Sequence, residues 1–352
     1  MRLQKRYIKK LTIRKLRDIL IKMKRTIYIF SDGELKRKQN TIYFEGEKGR
    51  KYIPVENITE IMVFGEITIN KRILEFLSQN EIILHFFNHY GYYTGSFYPR
   101  EHLNSGYMVL KQAEHYLDNE KRLLLARLFV WGAIENIKKV LNYYINRGVE
   151  LNEIKENIKN LQETIGDCQN VEELMALEGN ARDYYYKGFD LILNNPDFVF
   201  ESRTRRPPLN RLNALISFGN SLLYTVILSE IYKTHLDPRI GFLHTTNFRR
   251  FSLNLDIAEI FKPIIVDRLI FTLINKGMIK KTHFEKHLNG IVLNEKGRLL
   301  FVEEMDKRLK ATIKHQKLRR NVSYRHLIKL ELYKLEKHLM DETCYQPFIA
   351  RW

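Results

Sequence analysis

At 352 residues, 44% apolar and 28% charged, the chain is long enough for two domains with real cores, and it reads as a globular protein. Lys and Arg number 59 against 41 Asp and Glu, a net charge of +18, which points to a polyanionic partner, nucleic acid ahead of an anionic membrane surface, rather than a free acidic metabolite. Cys168 and Cys344 form no CxxC or other metal spacing, so a disulfide framework is excluded and a reducing cytoplasm fits.

Residues 1–22, "MRLQKRYIKKLTIRKLRDILIK", hold nine basic residues and lack the apolar core of a secretory signal; they read as a basic extension, or as a start assigned ahead of Met23. Without them the net charge falls by eight, to +10, and the chain is still basic. From 25 to about 98 the apolar spacing is short and alternating ("TIYIFS", "TIYFEG", "EIILHFFN", "YYTGSFYP"), broken at Gly33, Gly46, Gly65 and Gly91. That stretch predicts a small β-rich domain over 23–98, with one short helix at "NKRILEFLSQN", where Ile73, Leu74 and Leu77 share a face. "PREHLNS", 99–105, has no periodicity and reads as a linker. From 106 to 352 the period is 3.6 and the expectation is an all-helical domain, giving an α+β, two-domain chain whose first part is a β-sandwich or roll. "ALISFGNSLLYTVIL", 214–228, carries Asn220, Ser217, Ser221 and Thr225 and is read as a buried helix, not a membrane span.

Three places carry chemistry. "LEGNAR", 177–182, sets Glu178 beside Gly179, Asn180 and Arg182 in what reads as a turn at the edge of an apolar segment. His244 lies in "GFLHTTN", among hydroxyl and amide groups able to orient an imidazole. In a helix starting after Asn254, Asp256 and Glu259 stand three apart on one face, and Pro263 removes the donor for the carbonyl of residue 259, so a kink is expected at that carboxylate. Each has a plain alternative: a histidine at the surface, an acidic pair answering the helix dipole, an Arg182 to Glu178 pair on a helix face. Together, one imidazole and two carboxylates suit Mn²⁺ or Mg²⁺ better than zinc, and such an ion serves phosphodiester chemistry. Cations adjoin them: Arg203, Arg205, Arg206 and Arg211 in "ESRTRRPPLNR", and Arg249 and Arg250 in "NFRRF". "KATIKHQKLRRNVSYRHLIKLELYKLEKH", 310–338, holds nine Lys or Arg, Arg319 and Arg320 among them, with Tyr324 and Tyr333 interleaved, and reads as a phosphate track or a solvated helix face.

With "KRTIYIFSDGELKRKQNTIYFEGE", "LEGNAR", "ESRTRRPPLNRLNALISFGNSLLY", "HTTNFRRFSLNLDIAEIFKPIIVDR" and "YQPFIARW" in this order, the chain from Met23 to Trp352 resembles the CRISPR-associated endonuclease and integrase that inserts new spacers during adaptation, especially that of subtype I-B systems. The resemblance implies a β domain that dimerises and a helical catalytic domain. It implies a metal held by Glu178, His244 and Glu259, with Asp256 in support or in alternative coordination; beside it, Asn180 is read as support, Arg182, Arg203, Arg205, Arg206, Arg249 and Arg250 as candidate phosphate or transition-state contacts, and Arg319 and Arg320 as DNA contacts. It also implies Mg²⁺ or Mn²⁺ as cofactor, and a small ferredoxin-like adaptation nuclease as partner. The DNA is expected to be a duplex with single-stranded 3′ ends, joined to CRISPR repeat DNA by transesterification. Two rival readings are a non-catalytic basic DNA-binding scaffold, against which the intact Glu, His and acid set argues, and a general metal-dependent nuclease unconnected with CRISPR arrays.

Overall fold

The structure, a computed structural model, describes residues 25–351 apart from 48, 100–102, 104, 206, 246–250, 288, 289 and 317. The basic extension at 1–22 and the arginines at 206, 249 and 250 therefore lie outside the described residues. The chain divides into two compact units, residues 1–102 and 103–352.

In the first unit, β1 (Arg25–Ile29), β5 (Ile58–Val63), β7 (Ile83–Phe87) and β8 (Tyr93–Phe97) form one sheet in the order β1-β5-β7-β8. The second sheet runs β4-β3-β2-β6, with β2 (Gly33–Lys38), β3 (Thr41–Gly46) and β4 (Gly49–Pro54) as an antiparallel meander and β6 (Ile67–Ile69) parallel to β2. Period-two patterning sets the inner face: Ile42 and Phe44 of β3 are buried while Thr41, Tyr43 and Glu45 are not. Leu35, Ile42 and Ile53 from one sheet and Ile61, Val63 and Leu84 from the other meet in one core. Helix α1 (Lys71–Gln79), capped by the Asn70 side chain accepting from the Ile73 amide at 3.2 Å, adds Ile73, Phe76 and Leu77 to it.

The second unit is built on α2 (Gly106–Leu117), α3 (Asn119–Ile145), α4 (Asn152–Glu163), α5 (Val171–Leu193), α6 (Arg211–Ile231), α7 (Leu253–Lys262), α8 (Arg268–Asn275), α9 (Glu295–Lys310) and α10 (Tyr324–Leu339). Helix α6 is long and apolar enough to cross a membrane, yet its most apolar window is 89% buried inside the protein. Both cysteines are free.

The unit is not all-helical, which corrects the expectation from periodicity. Two antiparallel hairpins interrupt it: β9 (Phe284–His287) with β10 (Gly290–Leu293), and β11 (Thr312–His315) with β12 (Arg320–Ser323). In the second, Ile313 faces Val322 across the ladder and Arg319 turns the tip at a φ of 50°. Four-residue strands leave too few apolar positions to outweigh the helical period on either side. The same correction applies to the phosphate track at 310–338, which is a hairpin followed by a helix, with Tyr324 buried under the Arg308 guanidinium rather than exposed.

Helix α6 touches the segment that follows α7 most closely at Gly219, where a Cβ would stand 2.6 Å from Val266 Cγ1 and 2.9 Å from Phe301 Cζ. Gly219→Ala should therefore lower the urea midpoint of the full chain, an overpacking cost of about 1–3 kcal/mol exceeding the helix-propensity gain of about 1 kcal/mol. A midpoint at or above wild type would contradict the contact.

Candidate metal centre

"LEGNAR" is not a turn but the middle of α5. Asn170 caps the helix by accepting from the Glu173 amide at 2.9 Å, and Leu174, Leu177, Ala181 and Tyr185 bury one side of it. The helix geometry sets Glu178 and Arg182 one turn apart, and Arg182 Nε reaches Glu178 Oε1 at 3.1 Å. Asn180, two positions from Glu178, lies on another side of the helix and is exposed.

Arg182 is only 6% exposed, so it is not the DNA contact expected of it. Its guanidinium ties three elements together, pairing with Glu259 of α7 at 3.1 Å and with Asp267 at 3.4 Å as well as with Glu178. Pro263 acts as its chemistry requires: residues Pro263–Asp267 form a π-helical turn, and Arg182 Nη2 donates to the freed carbonyl of Glu259 at 3.4 Å. Lys262 donates to Glu259 Oε1 at 2.5 Å and sits over the Tyr224 ring, 5.2 Å from its centroid. Neither Lys262 nor Asp267 was singled out from the sequence, although Lys262 lies three residues past Glu259, at the spacing of a helix-face pair.

Asp256 is fully buried at the start of α7 and does not point where Glu259 points. Its carboxylate accepts the backbone amides of Phe242 (2.5 Å), Leu243 (3.1 Å) and His244 (2.9 Å), and His244 Nδ1 at 2.8 Å. The loop must come close for this, and Gly241 permits it, since a Cβ there would stand 2.8 Å from Asp256 Oδ2 and 2.9 Å from the Leu253 nitrogen. With Nδ1 donating to Asp256, His244 keeps Nε2 for another partner.

The carboxylates of the centre are shifted in opposite directions. Burial pushes Glu178 up to about 7, the charge of Glu259 adds to this, and Arg182 opposes it. Burial likewise pushes Asp267 up to about 6 against the pull of Arg182. Glu259 goes the other way: burial would raise it, but Lys262 and Arg182 hold it well below the usual carboxylate range. Burial would depress His244, yet the hydrogen bond to Asp256 and the charges of Asp256 and Glu259 raise it.

Glu178, His244 and Glu259 thus come from three separate segments, and Glu259 stands within electrostatic reach of both of the others. Among the described residues, no three His, Cys, Asp or Glu side chains stand as a closed metal-binding group as placed. Lys262 occupies one oxygen of Glu259 and Arg182 the other. The donor set fits a hard divalent cation in its chemistry, one imidazole nitrogen and two carboxylates.

The basic residues divide. Arg203 is turned inward, donating to the Thr204 carbonyl, to Asn213 Oδ1 at 2.9 Å and to Ser217 Oγ at 3.0 Å, so it braces the loop before α6 and is no phosphate contact in this arrangement. Arg205, Arg319 and Arg320 are exposed.

Residues 27–307 match the family model described as CRISPR associated protein Cas1. A "CRISPR-associated endonuclease Cas1 2" of Thermodesulfovibrio yellowstonii is 67% identical over 330 residues, 94% of this chain and the whole of that one. A solved Cas1 structure from Thermotoga maritima superimposes with a TM-score of 0.84 at 52% identity, covering 92% of this chain and 99% of its own. A casposase bound to an integration product shares the fold, with a TM-score of 0.84 at 20% identity over 93% of this chain and 96% of its own. With a family model spanning most of its length and a relative two-thirds identical from end to end, the chain belongs to the Cas1 family.

Proposed function

We propose that this chain is a metal-dependent DNA endonuclease and integrase that inserts short DNA fragments into a CRISPR array as new spacers. The observation that carries the reading is the gathering of the Glu178 and Glu259 carboxylates onto one guanidinium, beside a His244 whose Nδ1 is held by Asp256 so that Nε2 remains for a ligand. Family membership supports it, since a relative 67% identical carries the endonuclease name.

Glu178, His244 and Glu259 would hold Mg²⁺ or Mn²⁺. Such an ion polarises a phosphoryl oxygen and stabilises the attacking and leaving oxygens of a phosphodiester displacement. In the joining reaction the 3′ hydroxyl of the incoming strand forms a bond to phosphorus as the bond to the 3′ oxygen of the target strand breaks. The attacking hydroxyl gives up its proton, the leaving oxygen takes one, and no ATP enters the chemical step. The chain's own residues prepare the place. Arg182 holds Glu178 and Glu259 in register, Lys262 balances Glu259 until its oxygen is needed, and Asp256 fixes the imidazole. Exposed Arg205, Arg319 and Arg320 supply cations for the DNA backbone. The partners proposed are a second copy joined through the β unit, a small ferredoxin-like adaptation nuclease, duplex DNA with single-stranded 3′ ends, and repeat DNA as target.

Strand transfer tests the reading: a labelled short duplex with free 3′ hydroxyls, a supercoiled plasmid carrying the repeat array, and the ferredoxin-like partner. Wild type should join DNA in Mn²⁺ or Mg²⁺ and not in EDTA, and Glu178→Ala or His244→Ala should lose at least about 100-fold while still binding DNA. Full joining by His244→Ala would refute the ligand assignment, and binding without joining in any metal would favour a scaffold role. Asp256→Asn should weaken Mn²⁺ affinity by roughly 10- to 100-fold in an equilibrium titration, as loss of a carboxylate behind a metal-binding histidine does; unchanged affinity would separate Asp256 from the site. Replacing Arg319 and Arg320 together by Ala should lower the salt slope of DNA binding by about two, with nothing changed at the metal centre; an unaltered slope would remove the hairpin from the DNA surface.

A further inference from the structure

Two successive carbonyls just before the π-helical turn that follows α7 receive side-chain donors. Arg182 answers that of Glu259. The next, Ile260, receives Asn136 Nδ2 from α3 at 2.9 Å, and Asn136 is fully buried. The same amide also clasps the end of the chain: Nδ2 donates to the Phe348 carbonyl at 2.9 Å and Oδ1 accepts the Ala350 amide at 2.8 Å. One side chain thus joins the C-terminal segment to the backbone immediately after Glu259.

Further contacts seat that segment. Tyr345 donates its hydroxyl to Glu331 Oε1 of α10 at 2.6 Å, and the Phe348 amide reaches the same oxygen at 3.1 Å. The Phe348 ring stacks on Phe261 of α7 with centroids 5.9 Å apart and planes 7° from parallel. Gly132, one helical turn before Asn136, makes room for Pro347: a Cβ there would stand 2.6 Å from Pro347 Cβ and 3.6 Å from Ile260 Cγ1. A helix-interior glycine is destabilising relative to alanine, and the close approach of Pro347 is what requires it here.

We propose that the segment Tyr345–Ala350, closed through Asn136, is a latch that sets the π-helical turn and hence the position of Glu259, making Asn136 a positioning residue for metal binding. This rests on the reading of Glu259 as a metal ligand. With the latch open, the Ile260 carbonyl loses the Asn136 amide and α7 loses the Phe348 ring packed on Phe261, so the turn is free to shift. Glu259, one residue away, moves with it.

The test uses the full chain and two readouts, hydrogen exchange of the metal-free protein and Mn²⁺ binding followed by the electron paramagnetic resonance of the free ion. Asn136→Ala and Gly132→Ala should each speed exchange of the amides at 264–268 by at least about tenfold, leave α4 at its wild-type rate, and raise the half-saturating Mn²⁺ concentration several-fold. Gly132→Ala, which raises helix propensity and clashes with Pro347 while meeting Ile260 only at ordinary contact distance, decides the matter alone if Asn136→Ala does not fold. Faster exchange at 345–350 with wild-type exchange at 264–268 would overturn the proposal, leaving the segment an anchor without a hold on the turn. If wild type binds no Mn²⁺, the metal reading falls, and exchange at 264–268 still judges the latch.

Discussion

A single guanidinium holds the centre of this protein together. Arg182 is nearly buried and carries Glu178 of its own helix, Glu259 of α7 and Asp267 of the π-helical turn on its three nitrogens. Removing such a cation from water is costly, and it is stable only because the planar fork meets several acceptors at once. Its partners depend on it in turn: Arg182 and Lys262 offset carboxylates that burial pushes toward their protonated forms. The fold therefore gathers carboxylate oxygens, the donors a hard divalent cation takes, around one guanidinium.

That place exists because α7 does not continue as a regular helix. Pro263 interrupts the backbone ladder one turn past Glu259, the turn widens, and side chains from α5 and α3 donate to the carbonyls of Glu259 and Ile260. Each replacement donor comes from an element distant in sequence, so the irregular turn is paid for by tertiary structure. At the other end of α7, Asp256 performs the same service for the loop that carries His244, gathering three successive amides onto one carboxylate. The two ends of a ten-residue helix thus present an imidazole and a carboxylate from fixed backbone.

Much of this was legible beforehand, and the misses have physical causes. The alternating stretches before residue 98 and the isolated helix at 71–79 followed from period alone, because one face of each strand is buried. The break at Pro263 was foreseeable from its missing amide. Glycine and asparagine in "LEGNAR" suggested a turn, but the apolar positions of α5 on either side, and the capping Asn170, outweigh two weak helix formers. The hairpin strands are four residues long and are set between helices, so their alternation was hidden. Arg182 and Arg203 looked like phosphate contacts because sequence reports charge and not direction; only packing reveals that both point inward. Lys262 and Asp267 had no signal beyond their distance from Glu259, since a buried cation and a surface cation are spelled alike.

The account stands or falls on where a divalent cation goes. Anomalous scattering from a Mn²⁺-soaked crystal of the full chain would locate it directly. The prediction is one ion in contact with Glu178, His244 Nε2 and Glu259, with the Lys262 ammonium withdrawn from the Glu259 carboxylate. Strong anomalous density elsewhere, with Lys262 and Arg182 still occupying both oxygens of Glu259, would contradict it.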